Sequence, residues 1–290
     1  MTYDLLVGDR SYSSWSLRGW LLFAAHDIPV RVRLADMRDP GFAEALRDWP
    51  PARTVPTVRS DDGAVWTDSL AIAEGLAERH PEAGHWPAAP RARALARSVA
   101  AEMHSGFAAL RSACPMNLRV LWQGFEPSDE VRADLARIEA LWSLARGMAE
   151  GDGPWLFGPY GAADAFFAPV AMRIAGYRLP VGDDARLYVD AHLRDGHLRR
   201  WRALGEARDR TLAHYDQGLP TAPFPVPDPI EARAVAEGPS VNALCPYSGK
   251  PVSHFMEAGG RVWGFCNAHC RDKTAADPGA WPDFRALYES

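Results

Sequence analysis

Hydrophobic and polar positions change period along the chain in a way that divides it into three regimes. Tyr3 to Gly8 holds the apolar run Leu5-Leu6-Val7 and predicts a buried strand, after which Leu17, Trp20, Leu21 and Ala25 recur at helical spacing. Pro29 to Leu34 alternates apolar residues with arginine, as a strand with one wet face does. A helical stretch ending in RDWPP comes next. The segment VPTVRSDDGAVWTDS (55–69) predicts two short strands around an Asp62-Gly63 turn, followed by a helix from about Ser69 to Arg79. The order over residues 1–81 is βαβαββα.

Residues 90–215 lack any comparable alternation and read as all-helical. One helix carries Leu95, Val99, Met103, Phe107 and Leu110. The next opens after Ser128, with Asp129 and Glu130 in its first turn, and carries Val131, Leu135, Ile138 and Trp142. A third starts near Ala162, and two more fit residues 184–194 and 197–215. Between residues 216 and 240 the pattern breaks into LPTAPFPVPDPIEARAVAEGP, whose six prolines predict an extended linker. Residues 241–290 hold three of the four cysteines, the pair Gly259-Gly260, and Trp263 and Phe265 alternating as in a short strand. That segment is too small to fold on an apolar core alone, so a metal staple is physically reasonable.

Composition narrows the classes of function. A chain of 290 residues that is 47% hydrophobic has material for about two well-packed domains, and a net charge of -5 argues against a nucleic-acid binder. The start MTYDLLVGDRSYSS lacks the basic and apolar segments of a secretory signal, and the longest apolar run, Trp20 to Ala25, is far too short to cross a bilayer. A soluble, cytoplasmic protein is expected. In a reducing compartment the cluster Cys245, Cys266 and Cys270 suggests metal before disulfide, while the lone Cys114 reads as a small buried hydrophobe.

Three short motifs carry chemistry. A cis bond at Val55-Pro56 would turn the backbone of Val55 outward to pair with an extended peptide. At Thr67-Asp68-Ser69 a helix begins, and its unpaired N–H groups with the Ser69 hydroxyl suit a carboxylate while Asp68 suits an amine. Ser13 and Ser14 lie where a strand gives way to a helix, a place where a thiolate is stabilised by the dipole and by a donated hydrogen bond. Taken singly, the serines and Asp68 have a plainer reading as helix caps.

All three motifs occur in one βαβαββα unit followed by helices, and in that combination the chain resembles a cytosolic glutathione transferase over about residues 1–215. The resemblance rests on YSSWSLR (12–18), RTVPTV (53–58), TDSLAIAEGLAERHP (67–81) and GAADAFFAPVAMRI (161–174). It implies an α+β fold: a thioredoxin-like, glutathione-binding domain over 1–81, then an all-helical domain over 90–215. SSWSLR is closest to the SSCSxR motif of the serine-type, zeta-like branch, which implies Ser13 as the hydroxyl that activates the glutathione sulfur, with Ser14 and Ser16 as alternates. Trp15 stands where that motif has its cysteine, which places zeta-type isomerisation of maleylacetoacetate behind a general transferase reading. The resemblance further implies glutathione contacts from Tyr12, Trp15, Ser16, Thr54, Val55, Pro56, Asp68 and Ser69. It implies a homodimer, glutathione as co-substrate and a small hydrophobic electrophile as partner. Gly161 takes the cap position of the family's internal helix, where Ser or Thr is usual, and Asp164 is retained to bond back to the cap backbone.

The tail CPYSGKPVSHF…RVWGFCNAHCRDK is similar to small metal-binding modules of the TRASH and YHS type. That similarity implies a zinc site of Cys245, Cys266 and Cys270, with His254 as preferred fourth ligand and His269 in reserve. Two other functions remain open: a glutathione-dependent isomerase or peroxidase, and a non-catalytic dimer that binds or senses metal through residues 241–290.

Overall fold

The computed structural model describes residues 1–35, 39–208 and 210–290. They form two compact units, Met1–His192 with His214–Phe224, and Leu193–Ala213 with Pro225–Ser290.

The first unit begins with β1 (Tyr3–Val7), α1 (Ser14–Ala24), β2 (Arg31–Leu34), α2 (Phe42–Leu46), β3 (Thr57–Ser60), β4 (Val65–Trp66) and α3 (Ser69–Arg79). The strands make one mixed sheet in the order β2-β1-β3-β4, with β1 and β2 parallel and the other pairs antiparallel. Gly63, at φ 88°, supplies the left-handed turn that joins β3 to β4. Helix α1 lies tightly against the Val55-Pro56 segment, whose peptide bond is cis. A Cβ on Gly19 would fall 2.7 Å from Pro56 Cβ, so glycine is what allows the approach.

Helices α4 (Pro90–Ser105), α5 (Ala108–Ala113), α6 (Asp129–Arg146), α7 (Ala162–Tyr177) and α8 (Asp183–Arg194) follow. The single helix expected through Leu95 and Leu110 is two, because Phe107 takes a left-handed φ of 57° after Gly106 and restarts the chain as α5. Two short strands, β5 (Val120–Trp122) and β6 (Thr221–Pro223), pair antiparallel. Thus β6 lies within the proline-rich stretch expected as a linker. The φ that proline imposes is compatible with extended backbone, and a strand paired along one edge tolerates its missing N–H.

Helix α7 is buried over almost its whole length and packs on both α1 and α4. Each fully buried Leu or Phe at this junction, such as Leu17, Leu21, Phe166 and Phe167, contributes about 1.5–3 kcal/mol. Asp164 anchors the helix start: its carboxylate accepts from Gly161 N–H at 2.9 Å, Leu156 N–H at 3.0 Å and Tyr188 O–H at 2.9 Å. The reciprocal bond to the cap backbone is therefore present with glycine at the cap. Burial pushes the Asp164 pKa up to about 6 despite these three donors.

The second unit contains α9 (Gly196–Glu206), β7 (Ala232–Val235), β8 (His254–Ala258), β9 (Arg261–Phe265), α10 (Ala268–Ala276) and α11 (Pro282–Tyr288). Its strands form an antiparallel meander, β7-β8-β9. Gly259 and Gly260, at φ 59° and 70°, turn β8 into β9, and a side chain at Gly259 would strike the Tyr288 hydroxyl. The core joins Met256, Trp263, Phe265, Trp281 and Phe284 to Ala203 of α9. The same helix supplies Arg199, whose guanidinium meets the buried Asp277 carboxylate at 2.6 and 2.9 Å. Metal is thus not the only candidate for holding residues 225–290 together, since a shared core and a buried ion pair contribute too.

Candidate active site and cysteine cluster

Ser13 is the N-cap of α1, with extended φ and ψ of -83° and 94°, because its Oγ accepts the Ser16 N–H at 3.3 Å. The Ser13 hydroxyl donates to Ser16 Oγ at 2.8 Å, and Ser16 Oγ also receives Gly8 N–H at 2.9 Å. The buried Ser16 therefore ties the end of β1 to α1, while Ser13 and Ser14 stay half-buried at the helix mouth. Tyr12 is buried, its ring 4.6 Å from that of Tyr215. Gly8 sits between Ser13 and Val55: a Cβ there would lie 3.3 Å from Val55 Cγ2 and 3.4 Å from Ser13 Cβ. Thr54 is exposed, and its carbonyl accepts the Thr57 hydroxyl at 2.9 Å.

Asp68 caps α3 by accepting Leu70 N–H on Oδ1 at 2.8 Å, and Ser69 is buried at the helix start. Facing them from α4 is His104, with Nε2 3.4 Å from Asp68 Oδ2 and Nδ1 3.5 Å from Ser69 Oγ. The His104 ring meets Trp15 edge-on at 5.1 Å. Trp15 in turn carries two guanidinium groups, Arg18 at 4.6 Å and Arg111 at 4.9 Å from its ring centroid.

Arg18 is only 2% exposed, and its Nε and Nη1 have no hydrogen-bond partner. Burial, with Arg173 and Arg111 nearby, lowers its pKa well below the ordinary guanidinium range. Arg173 is spent on the carbonyls of Cys114 and Pro169, and Arg111 on those of His104 and Gly106. Two guanidiniums, Arg18 and Arg111, thus meet at the Trp15 ring, with Asp68 as the acidic group that acts on Arg18.

Residues 12–79 match the glutathione S-transferase N-terminal domain family. A maleylacetoacetate isomerase from Pseudomonas aeruginosa is 32% identical over 182 residues, which cover 61% of this chain and 82% of that protein. The chain belongs to the glutathione S-transferase superfamily. A probable maleylacetoacetate isomerase from Caenorhabditis elegans is 35% identical over 112 residues, but the match spans 39% of this chain and 49% of that protein. Solved structures agree on the fold. A Burkholderia glutathione transferase homolog with bound glutathione superposes with a TM-score of 0.52 at 23% identity, covering 72% of this chain and all of that one. Glutathione transferase Omega 3C from Trametes versicolor does so with 0.52 at 18% identity, covering 69% and 87%. The thioredoxin-like first domain and the helical second domain are those of this superfamily.

Sequence pattern alone does not mark His104, Arg18 or Arg111 as residues of this site. His104 gives no signal in sequence, since its partners Ser69 and Asp68 lie about 35 residues away along the chain. Arg18 did leave a signal: it is the single charged residue in SWSLRGWLLFA, an otherwise apolar helix.

In the second unit the Sγ atoms of Cys245, Cys266 and Cys270 all lie within 4.8 Å of one another. Three elements bring them together: the turn that returns Lys250 C=O to Cys245 N–H, the end of β9, and the first turn of α10, where Asn267 Oδ1 caps Cys270 N–H. Ser248 O–H and Asn267 Nδ2–H both donate to Cys266 Sγ, at 3.2 and 3.3 Å. Burial works against ionisation of Cys245, yet N–H donors from Cys266, Tyr247 and Ser248 bring its pKa down to about 7. Burial and the charges of Cys245 and Cys266 push Cys270 up to about 11. Three thiols this close, two of them sharing donors suited to thiolates, match what a soft or borderline cation requires.

His254 does not join the group formed by the three cysteines. It sits at the start of β8, paired with Phe265 at the end of the β8–β9 ladder, and is not among the residues whose ligand atoms come together with the three thiols. Its Nδ1 lies 3.0 Å from the Ser253 hydroxyl. The reserve ligand, His269, is exposed on α10 and also lies outside the group. Among the described residues, no helix is long and apolar enough to cross a membrane.

Proposed function

We propose that the protein activates the glutathione thiol for attack on a small, partly apolar electrophile that carries an anionic group. The observation that carries this reading is Ser13 at the N-cap of α1, beside Val55 and two residues before Trp15, whose ring carries the Arg18 and Arg111 guanidiniums. In this reading the Ser13 hydroxyl swings from Ser16 Oγ to the glutathione sulfur, while Ser16 keeps its bond from Gly8 N–H. A donated hydrogen bond and the helix dipole lower a thiol pKa of about 8.5 toward neutrality, each unit being worth about 1.4 kcal/mol. The backbone of Val55 pairs with the cysteinyl unit. Asp68 receives the γ-glutamyl ammonium, and Ser69 with the α3 N-terminus receives the neighbouring carboxylate. Thiolate sulfur then forms a bond to the electrophilic carbon, and the displaced electron pair leaves with the departing group or moves into a conjugated carbonyl.

The anionic group is placed by Arg18, whose unpaired guanidinium atoms sit beneath Trp15, and by Arg111 on the same ring. This feature, with the names of the curated relatives, also favours a second reading, glutathione-dependent isomerisation of an unsaturated acid. Thiolate addition would be followed there by rotation and elimination, and the sulfur would be released unchanged. Residues 241–290 add a zinc site on Cys245, Cys266 and Cys270. Zinc there would be structural, neutralising three thiolates and cross-linking β9, α10 and the Cys245 turn. A homodimer is proposed from the superfamily's habit.

The test is conjugation of glutathione to a panel of neutral and carboxylate-bearing electrophiles. Ser13→Ala is expected to lower kcat/KM by about 10²-fold, while the lost N-cap lowers the melting temperature by only about 2–4 °C. Unchanged turnover in Ser13→Ala would move the catalytic role to Ser14 or Ser16. A protein that binds zinc but is not retained on immobilised glutathione would overturn the enzyme reading in favour of a metal-binding dimer.

A further inference from the structure

We infer that His104 is a positioning residue for the γ-glutamyl pocket, holding Asp68 and Ser69 in place from α4 and making that pocket's hold on an ammonium group sensitive to pH. The inference rests on the glutathione reading above.

Geometry carries it. Asp68 has one carboxylate oxygen committed to the helix cap, since Oδ1 accepts Leu70 N–H at 2.8 Å. The other oxygen, Oδ2, lies 3.4 Å from His104 Nε2 and is the one left to receive a ligand's ammonium. The remaining ring nitrogen, Nδ1, is 3.5 Å from the Ser69 hydroxyl. His104 is itself held by aromatic contacts, edge-on to Trp15 at 5.1 Å and 6.3 Å from the Phe166 ring. One imidazole therefore touches both groups assigned to the γ-glutamyl end and the tryptophan beside the catalytic serine.

The two protonation states of His104 act on Asp68 in opposite senses. Neutral imidazole faces Oδ2 with Nε2 at 3.4 Å and the Ser69 hydroxyl with Nδ1 at 3.5 Å, so it abuts the carboxylate without adding a charge. Imidazolium forms an ion pair with the same oxygen and competes with the incoming ammonium. The charged groups that face the ring are Asp68 from α3, Arg18 from α1 and Arg111 from α5. Burial and the two guanidiniums lower the His104 pKa, while Asp68 acts against them, so the neutral form prevails at pH 7. When an ammonium docks on Asp68 it cancels the one charge that favours imidazolium. Binding of the γ-glutamyl end and protonation of His104 therefore oppose each other, and by linkage affinity falls as the pH drops through the His104 pKa.

The experiment is calorimetric titration of the full-length protein with S-methylglutathione, which has no thiol to ionise, from about pH 5 to pH 8. Wild type is expected to lose affinity by up to about tenfold per pH unit on the acid side of the His104 pKa. His104→Gln keeps a donor for Asp68 and should bind within about threefold of wild type at pH 8, with a flattened acid limb. His104→Phe preserves the aromatic contacts but loses both polar ones, and should bind about tenfold more weakly at pH 8, again with a flat profile. Either variant retaining the wild-type pH profile would overturn the inference, as would unchanged affinity in His104→Phe. Failure of wild type to bind S-methylglutathione at any pH would instead overturn the glutathione reading itself.

Discussion

Replacing Asp164 by alanine removes one acceptor group from three buried donors, Gly161 N–H, Leu156 N–H and Tyr188 O–H. Each buried donor left without a partner costs about 1–3 kcal/mol, so at pH 7 the alanine variant should be less stable by about 4 kcal/mol. For a unit of this size that lowers the melting temperature by about 8–16 °C. A second signature is pH dependence. Asp164 in the folded protein has a pKa of about 6 against an ordinary 3.8, so the folded state binds its proton more tightly than the unfolded state does. A raised folded pKa gives stability that is fully present below about pH 4 and is lost as the pH rises through 6. The difference of about two units corresponds to about 3 kcal/mol. Other carboxylates titrate equally in wild type and variant, so the gap between Asp164→Ala and wild type should shrink by about that amount from pH 4 to pH 7. Urea unfolding followed by tryptophan fluorescence at both pH values measures it. A gap that is constant, or that widens with pH, would refute the assignment of a raised pKa, and a gap below about 1 kcal/mol would refute the role of the three bonds.

Two further outcomes concern the second unit. Arg199→Met leaves the Asp277 carboxylate buried without its partner and should destabilise residues 225–290 by about 3–5 kcal/mol, read as an early transition in Trp263 and Trp281 fluorescence; a loss under about 1 kcal/mol would show that water reaches Asp277. Purified protein should carry about one zinc per chain by elemental analysis, and Cys266→Ser should lose most of it together with the early-unfolding resistance of that unit. Metal-free wild-type protein of unchanged stability would establish the cysteines as reduced structural thiols.

Much of this molecule is decided by sequence alone, and the reason is that local rules suffice. The βαβαββα order follows from period changes between residues 3 and 79, the turn at Asp62-Gly63 from glycine's tolerance of positive φ, and the start of α6 from Ser128. The hydroxyl-rich SYSSWSLR is legible as a helix start, and Ser13 and Ser16 both stand in it. Which serine is structural could not be read, because the two hydroxyls bond to each other and only Ser16 is also bound by Gly8 N–H.

Tertiary structure decided the rest wherever distant segments share one charge or one core. It set His104 against Asp68 and Ser69, and it stacked Arg18 and Arg111 on Trp15. It left His254, paired with Phe265 at the start of β8, outside the group formed by the three cysteines. It also drew α9 into the core of the cysteine-bearing unit, where Arg199 meets Asp277 across 78 residues of sequence. Periodicity reports which face of an element is buried; it carries no information about which partner covers that face, and electrostatic pairing depends on the partner.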